Sequence, residues 1–103
     1  MTEQRMRLVS WRPLRQGGLL GFATVELPIG LHINECPVLN GAEGVWASLP
    51  AKPQLDREGR RRMGFDGKPV WQDVLAWRSR RLQQAFSDRV VALVREAHPE
   101  DLS

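Results

Sequence analysis

The sequence has one cysteine, Cys36, no tyrosine, and no apolar run that approaches the roughly 20 residues needed to cross a bilayer. A single cysteine excludes an intramolecular disulfide and a cysteine-rich zinc site. Because the chain has no disulfide of its own, we expect a reducing compartment and therefore the cytoplasm. Residues 1–7 are polar and basic, so we expect no secretory signal and no membrane partner. With 103 residues, the chain is long enough for one small domain, residues 1–103, with a modest core.

Motifs that carry catalysis are also missing: we find no phosphate-cradling glycine loop, no nucleophile elbow and no paired-carboxylate motif. His32, Glu35 and Cys36 lie close together, and on a regular strand His32 and Cys36 would share one face. Two ligands on one strand do not complete a zinc site, so a surface histidine and a buried cysteine are the simpler interpretation. We therefore expect no enzyme activity, no metal, no cofactor and no small-molecule substrate.

Positive charge is concentrated in one segment of the chain. The net charge is +3, but residues 52–81 alone carry nine Lys and Arg against four Asp and Glu, a local net charge of +5. Such a segment suggests a polyanionic partner, because guanidinium groups pair with phosphates in a bidentate manner. A solvated loop that keeps the protein soluble is the alternative, and charge alone does not choose between the two. The candidate nucleic-acid-binding residues are Lys52, Arg60, Arg61, Arg62, Lys68, Arg78, Arg80 and Arg81.

The first half of the chain has the alternating pattern of β-strands separated by turns, which predicts an antiparallel meander. In the second strand, Ala23, Val25 and Leu27 point to one face and the residues between them to the other. In the first strand, Leu8 and Trp11 would lie on opposite faces. The predicted sheet covers about residues 5–49, with strands at Arg5 to Arg12, Leu19 to Leu27, Leu31 to Leu39 and Val45 to Leu49.

The second half is predicted to contain a long loop and one helix. Residues 50–69 are basic and irregular, and residues 70–77 could form a short strand or the approach to a helix. Residues 80–97 have an apolar stripe, with Ser79 as the N-cap, which predicts an amphipathic helix. The stripe consists of Leu82, Phe86, Val90, Leu93 and Ala97.

These elements predict the α+β fold class: a four-stranded antiparallel β-meander with a C-terminal amphipathic helix packed on one sheet face, in two layers. The other sheet face and any unpaired strand edge would remain uncovered. A homodimer that extends or stacks the sheets is a natural way to cover them, since a small core gains from burying further surface.

Four tryptophans are many for a chain of this length. Trp11 and Trp46 lie in predicted strands, where core filling or a dimer interface is the favoured role. Trp71 and Trp77 flank basic residues, and for them base stacking and packing are equally open.

One block of the sequence resembles a known family. Residues 44–52 read G-V-W-A-S-L-P-A-K, which combines a glycine turn, an apolar-aromatic strand, a proline that ends the strand and a basic residue at its exit. Together with residues 18–23, residues 27–31 and Val38, this block is similar to the SpoVG family, the stage V sporulation protein G and septation regulators of bacteria. The resemblance covers mainly residues 8–52, and beyond them only the outline of a basic loop followed by an amphipathic helix.

The resemblance implies a small dimeric β-meander with a helix, which binds DNA or RNA to regulate gene expression. From the basic segment and the resemblance, we expect a nucleic-acid-binding regulatory protein that uses the basic loop and the helix N-terminus. The alternative is a protein-interaction module without nucleic-acid binding, whose sheet edge or tryptophan-bearing loop would dock a protein partner.

Overall fold

The structure, a computed structural model, describes residues 5–102. These residues form six strands, one α-helix and a final 3-10 turn. None of their helices is long and apolar enough to span a membrane. The bounds are β1 Arg7–Gln16, β2 Leu19–Glu26, β3 His32–Gly41, β4 Gly44–Ala47, β5 Ala51–Pro53, β6 Trp71–Asp73, α1 Arg80–Ala97 and the 3-10 turn Pro99–Asp101.

Strands β1 to β4 form one antiparallel sheet in sequence order, which confirms the predicted four-stranded meander and the α+β fold class. A tight turn joins β1 to β2, with a φ of +62° at Gly17, a left-handed conformation that favours glycine. The predicted first strand, which ended at Arg12, is too short, because β1 continues through Pro13. The missing N–H of this proline is tolerated because β1 is an edge strand.

A bulge in β1 changes which of its residues face the helix. The pairing register with β2 shifts between Leu8 and Ser10, so Val9 is an extra residue in β1. As a result, Leu8 and Trp11 both pack against the core. The prediction that they lie on opposite faces is therefore wrong.

A second bulge has the same effect in β3. Between Ile33 and Cys36, β3 has one residue more than the facing segment of β2. Glu35 lies within this bulge with a φ of +61°, a left-handed conformation that is uncommon for a non-glycine residue. Ile33 and Cys36 are buried whereas His32 is exposed, so the prediction that His32 and Cys36 share a face is wrong.

Helix α1 begins and ends where the sequence predicted, at Arg80 and Ala97. Ser79 caps it, and the Ser79 hydroxyl accepts the Leu82 backbone N–H at 3.2 Å. The buried face is turned relative to the predicted stripe, because Leu82 and Leu93 are only half-buried and Ala97 is exposed. The buried residues are Phe86, Ser87, Val90, Val91 and Val94.

The core lies between this helix and one face of the sheet, which makes the two predicted layers. Burying a valine side chain contributes about 1.5–3 kcal/mol, and valines dominate this core. The largest fully buried side chains are Val25, Val38, Val90, Val94 and Cys36.

Residues 50–69 do not form the irregular loop that the sequence predicted. Strands β5 and β6 pair in antiparallel fashion, and further backbone hydrogen bonds hold the chain between them. Residues 70–77 contain both predicted alternatives, since β6 is a short strand and the chain then turns towards α1. We refer to residues 51–73 as the arm. Its two strands contact mainly each other, and the arm adds no residue to the buried core.

Candidate nucleic-acid interface

The arm begins as the antiparallel pair β5 and β6, and beyond this pair three backbone segments meet in a closed triangle of hydrogen bonds. The Arg62 N–H donates to the Gln54 carbonyl at 2.7 Å, and the Val70 N–H donates to the Arg62 carbonyl at 2.8 Å. The Gln54 N–H closes the triangle by donating to the Val70 carbonyl at 2.8 Å. Each of these residues donates once and accepts once, so the backbone is satisfied without a regular sheet.

The first loop that leaves this triangle is a tight turn. The Asp56 N–H donates to the Arg60 carbonyl at 2.8 Å, and the Gly59 N–H donates to the Asp56 carbonyl at 3.1 Å. The Asp56 carboxylate also accepts the backbone N–H groups of Glu58 and Arg60, each at 2.9 Å. Gly59 has a φ of +82°, which explains why the turn needs glycine there.

The second loop repeats this backbone geometry. The Gly64 N–H donates to the Lys68 carbonyl at 2.8 Å, and the Gly67 N–H donates to the Gly64 carbonyl at 3.0 Å. Gly67 has a φ of +81°, almost the value found in the first turn. The Asp66 carboxylate accepts the Lys68 backbone N–H at 3.0 Å. The two loops are therefore two copies of one turn.

The arm is thus an internal repeat with a period of eight residues, which the sequence analysis missed. The triangle residues Gln54, Arg62 and Val70 are eight positions apart, as are the two turn glycines. In this register Arg57 corresponds to Phe65. Among the turn residues, only the glycine, an acidic residue before it and the closing cation recur at matching positions. That signal was present in the sequence but was too short to stand out.

The arginines of the sheet have partners within the fold. The Arg7 side chain pairs with the Glu26 carboxylate at 3.1 Å, and Arg12 pairs with the Glu35 carboxylate. Arg15 donates to backbone carbonyls of the 3-10 turn. These cations are committed to internal contacts.

The eight candidate nucleic-acid-binding residues differ from the sheet arginines, because their side chains have no partners within the described part of the fold. Within residues 5–102, none of the eight candidate side chains forms an ion pair or a hydrogen bond, and the same holds for Arg57. All eight belong to exposed residues. Their charged groups can therefore contact an external anion without breaking an internal contact.

The structure divides the candidate cations into two groups. Ala51, Asp73 and Gln83 line one depression of about 390 Å³, so the base of the arm lies beside the first turns of α1. The group at the arm base and helix start is Lys52, Arg78, Arg80 and Arg81; the group farther along the arm is Arg60, Arg61, Arg62 and Lys68.

The two tryptophans considered for base stacking have different surroundings. Trp71 in β6 is 59% exposed. Trp77 is half-buried and packs against the core, with its ring centroid 5.2 Å from that of Phe86. The buried Nε1 of Trp77 has no hydrogen-bond partner in the described part of the chain. Trp71 therefore presents an open ring, whereas Trp77 contributes to packing.

The most exposed aromatic side chain was not among the sequence candidates. Phe65 occupies the first corner of the second turn and is fully exposed, at 109% of its reference area. Tryptophans, and no phenylalanine, were predicted as candidates for stacking. Its position inside a glycine-bracketed turn, G-F-D-G, between basic residues was the available signal.

The predicted surface histidine and buried cysteine are confirmed. Burial raises the pKa of the Cys36 thiol to about 12, and the nearby charge of Glu35 adds to this shift, so the thiol stays protonated near neutral pH. The exposed His32 Nε2 lies 2.7 Å from the Glu26 carboxylate. Hydrogen bonds from Arg7 and then from His32 lower the pKa of Glu26.

One group of potential metal ligands occurs in the described residues, at the end of the chain away from the helix start. Ligand atoms of His98, Glu100 and Asp101 lie within 4.8 Å of one another. The Asp101 carboxylate already accepts the Trp11 Nε1–H at 2.8 Å, and the Glu100 side chain is exposed. Exposed acidic groups of this kind are common without a metal, so we assign no metal to them.

No protein-family model matches this chain, nor does any curated protein or any solved structure.

Proposed function

We propose that this chain is a small nucleic-acid-binding regulatory protein that contacts the phosphates of DNA or RNA through its arm and the start of α1. The observation that supports this best is the contrast between the two sets of cations. The sheet arginines are paired within the fold, whereas the eight candidate cations have no partner in residues 5–102. Each phosphate neutralised by such a cation releases condensed counterions, which drives binding.

The start of α1 adds a second argument for an anionic ligand. Arg80 and Arg81 lie in the first helical turn, which has no acidic residue. Cations there oppose the helix dipole and cost about 0.3–1 kcal/mol each. A phosphate bound at this point would relieve that repulsion and would accept free backbone N–H groups of the helix.

The regulatory role is proposed from the resemblance of residues 8–52 to the SpoVG family, and membership of that family is part of the proposal. We also propose a cytoplasmic location, because the single buried cysteine fits a reducing compartment. Binding without catalysis is the simplest activity for this surface.

The first prediction tests the arm with a charge-matched pair of variants. Arg60→Gln with Arg61→Gln should reduce the slope of log affinity against log salt by about one unit per lost contact, between about 50 and 200 mM salt. Arg89→Gln with Arg95→Gln removes the same charge from exposed and half-buried positions of α1 outside its first turn, and should leave the slope unchanged. Fluorescence anisotropy titrations with duplex DNA, single-stranded DNA and RNA measure the salt slopes of both double variants.

Absence of binding to all three nucleic acids at low salt contradicts the proposed function. If the parent binds but the two double variants have equal salt slopes, the phosphate contacts do not lie at Arg60 and Arg61 of the arm.

A second candidate function is a protein-interaction module, and one observation favours it. An apolar depression of about 600 Å³ lies on the sheet face opposite the helix, where Phe22, Pro37 and Leu39 contribute to its lining. For the nucleic-acid-binding protein, we propose that a second copy of the chain covers this face, so that the protein is a homodimer. In the alternative function a different protein would occupy the same face instead. A protein partner bound through apolar surface would show a much weaker salt dependence than a nucleic acid.

A further inference from the structure

Phe65 is the one large apolar side chain of residues 5–102 that is exposed over its whole reference area. The turn that carries it is held by two backbone hydrogen bonds, between Gly64 and Lys68 and between Gly67 and Gly64. The ring therefore projects from a well-defined backbone. A single exposed apolar side chain is common on protein surfaces, so the case for a contact site depends on what surrounds Phe65 in the arm.

Because the arm repeats, the position of Phe65 in the second turn has an equivalent in the first turn. Arg57 occupies the same corner of the first turn, and each turn ends in a cation, Arg60 or Lys68. None of these three side chains has an ion-pair partner in the described residues. The arm therefore presents one cationic and one aromatic corner on the same scaffold, with free cations beside both.

Two of the three acidic residues of the two turns have structural roles, whereas the exposed Glu58 side chain makes no hydrogen bond or ion pair within residues 5–102. The Asp56 carboxylate accepts two backbone N–H groups at 2.9 Å, and the Asp66 carboxylate accepts the Lys68 N–H at 3.0 Å. Each carboxylate is thus oriented towards the backbone of its own turn. Glu58 leaves one free carboxylate in the first turn, but the free charged side chains that flank the turn of Phe65 are Arg62 and Lys68, and these cations complement a polyanion.

We propose that Phe65 stacks on an unpaired base of single-stranded DNA or RNA while the neighbouring cations of the arm contact its phosphates. The inference rests on the proposed function and specifies the form of nucleic acid. Unpaired bases offer a free π-face of any base type, whereas insertion into a duplex first requires a base step to be unstacked. An aromatic corner flanked by cations is the combination that single-stranded nucleic acid requires.

The central comparison of the test is between oligothymidine and an abasic DNA strand, which have the same sugars and phosphates and differ only in their bases. Probes of about 12 nucleotides are used: oligothymidine, oligouridine, an abasic DNA strand with the same phosphates, and a duplex of equal length. The full chain should bind oligothymidine or oligouridine tighter than the abasic strand. Phe65→Ala should weaken binding to the base-containing strands by roughly 5- to 150-fold, down to the abasic level, with an unchanged salt slope.

Two further variants separate stacking from other roles of the position. Phe65→Tyr should retain the preference for base-containing strands, whereas Phe65→Leu, which keeps apolar bulk without a π-face, should lose it. Arg57→Gln is the matched control in the other turn. It should weaken binding to the base-containing and abasic strands by the same factor and lower the salt slope by about one unit.

The inference is overturned if the parent binds the abasic strand as tightly as oligothymidine and oligouridine, or if Phe65→Leu behaves as the parent does. It is also overturned if Phe65→Ala affects duplex binding more than single-strand binding, which would indicate insertion into a duplex. In each of these results the charge-driven binding persists and the proposed function stands. Loss of binding by the parent to every probe would instead overturn both proposals.

Discussion

At the scale of single residues, Ser87 connects the two layers of the core. This serine lies on the buried face of α1, and its hydroxyl accepts the Ala47 backbone N–H from β4 at 2.9 Å. Both residues are buried, so water cannot replace the hydroxyl as the acceptor. The hydrogen bond therefore fixes the position of the helix against the last strand of the sheet, next to the base of the arm.

Ser87→Ala should lower the free energy of unfolding by about 1–3 kcal/mol, because the Ala47 N–H would be left buried without a partner. Urea denaturation monitored by circular dichroism measures this change. Ser10→Ala is the matched control, since Ser10 is exposed and its hydroxyl has no hydrogen-bond partner in the described residues. That variant should stay within about 0.5 kcal/mol of the parent. Equal stability of the two variants would mean that the Ser87 contact contributes little.

Residue by residue, the sequence predicted local features well and cross-strand features poorly. Ser79 as N-cap follows from its own neighbours along the chain, and this position is confirmed. The extra residue Val9 in β1 and the bulge at Glu35 depend on the register with β2, which no single strand encodes. For that reason the predicted opposite faces of Leu8 and Trp11 and the predicted shared face of His32 and Cys36 are wrong, although both strands were found.

At the scale of elements, the arm is separable from the two layers. It adds no residue to the buried core, and the backbone hydrogen bonds around its triangle close within residues 54–70. Its sequence does not alternate as a regular hairpin does, because a triangle and two small turns replace long paired strands. This explains why the segment was predicted to be a loop, and why only the eight-residue spacing of short motifs, E-G-R at residues 58–60 and D-G-K at residues 66–68, could have revealed it.

Replacing residues 54–70 by Asn-Gly should leave the fold intact and strongly weaken nucleic-acid binding, because four of the eight candidate cations are removed. Pro53 and Trp71 face each other in the pair β5 and β6, so a two-residue hairpin turn can join them. The free energy of unfolding should change by no more than about 2 kcal/mol, since each halving of a closed segment changes the closure entropy by only about 0.6 kcal/mol. Thermal unfolding measures the stability of this variant, and fluorescence anisotropy measures its affinity for nucleic acid. A variant that unfolds without cooperativity, or that binds with the parent affinity, would contradict the separation of arm and core.

At the scale of the whole molecule, the chain is elongated. Its Cα radius of gyration is 15.1 Å, compared with about 13 Å for a compact domain of 100 residues. The longest dimension is 51 Å and the other two are 30 and 24 Å. Such a shape exposes much surface for its volume. This exposed surface includes the apolar sheet face opposite the helix, which the small core cannot cover.

The proposed homodimer uses this face, and its mass provides the direct test. Light scattering at tens of micromolar should give twice the 11.7 kDa of a single chain. A stable interface of about 1,200–2,000 Å² requires the apolar depression to be buried, so a charge placed inside it should separate the subunits. Leu39→Arg introduces that charge, because Leu39 contributes to the lining of the depression.

Ile29→Arg is the matched control for this variant, since Ile29 is 87% exposed in the turn between β2 and β3. It should remain dimeric, whereas Leu39→Arg should become monomeric with an unchanged circular dichroism spectrum. The monomer should also bind long nucleic acid more weakly than the parent does. A dimer presents two arms, and the second contact then benefits from a high effective concentration. A parent protein that scatters as a monomer contradicts the dimer. Dissociation by both variants would mean that the interface extends beyond this face.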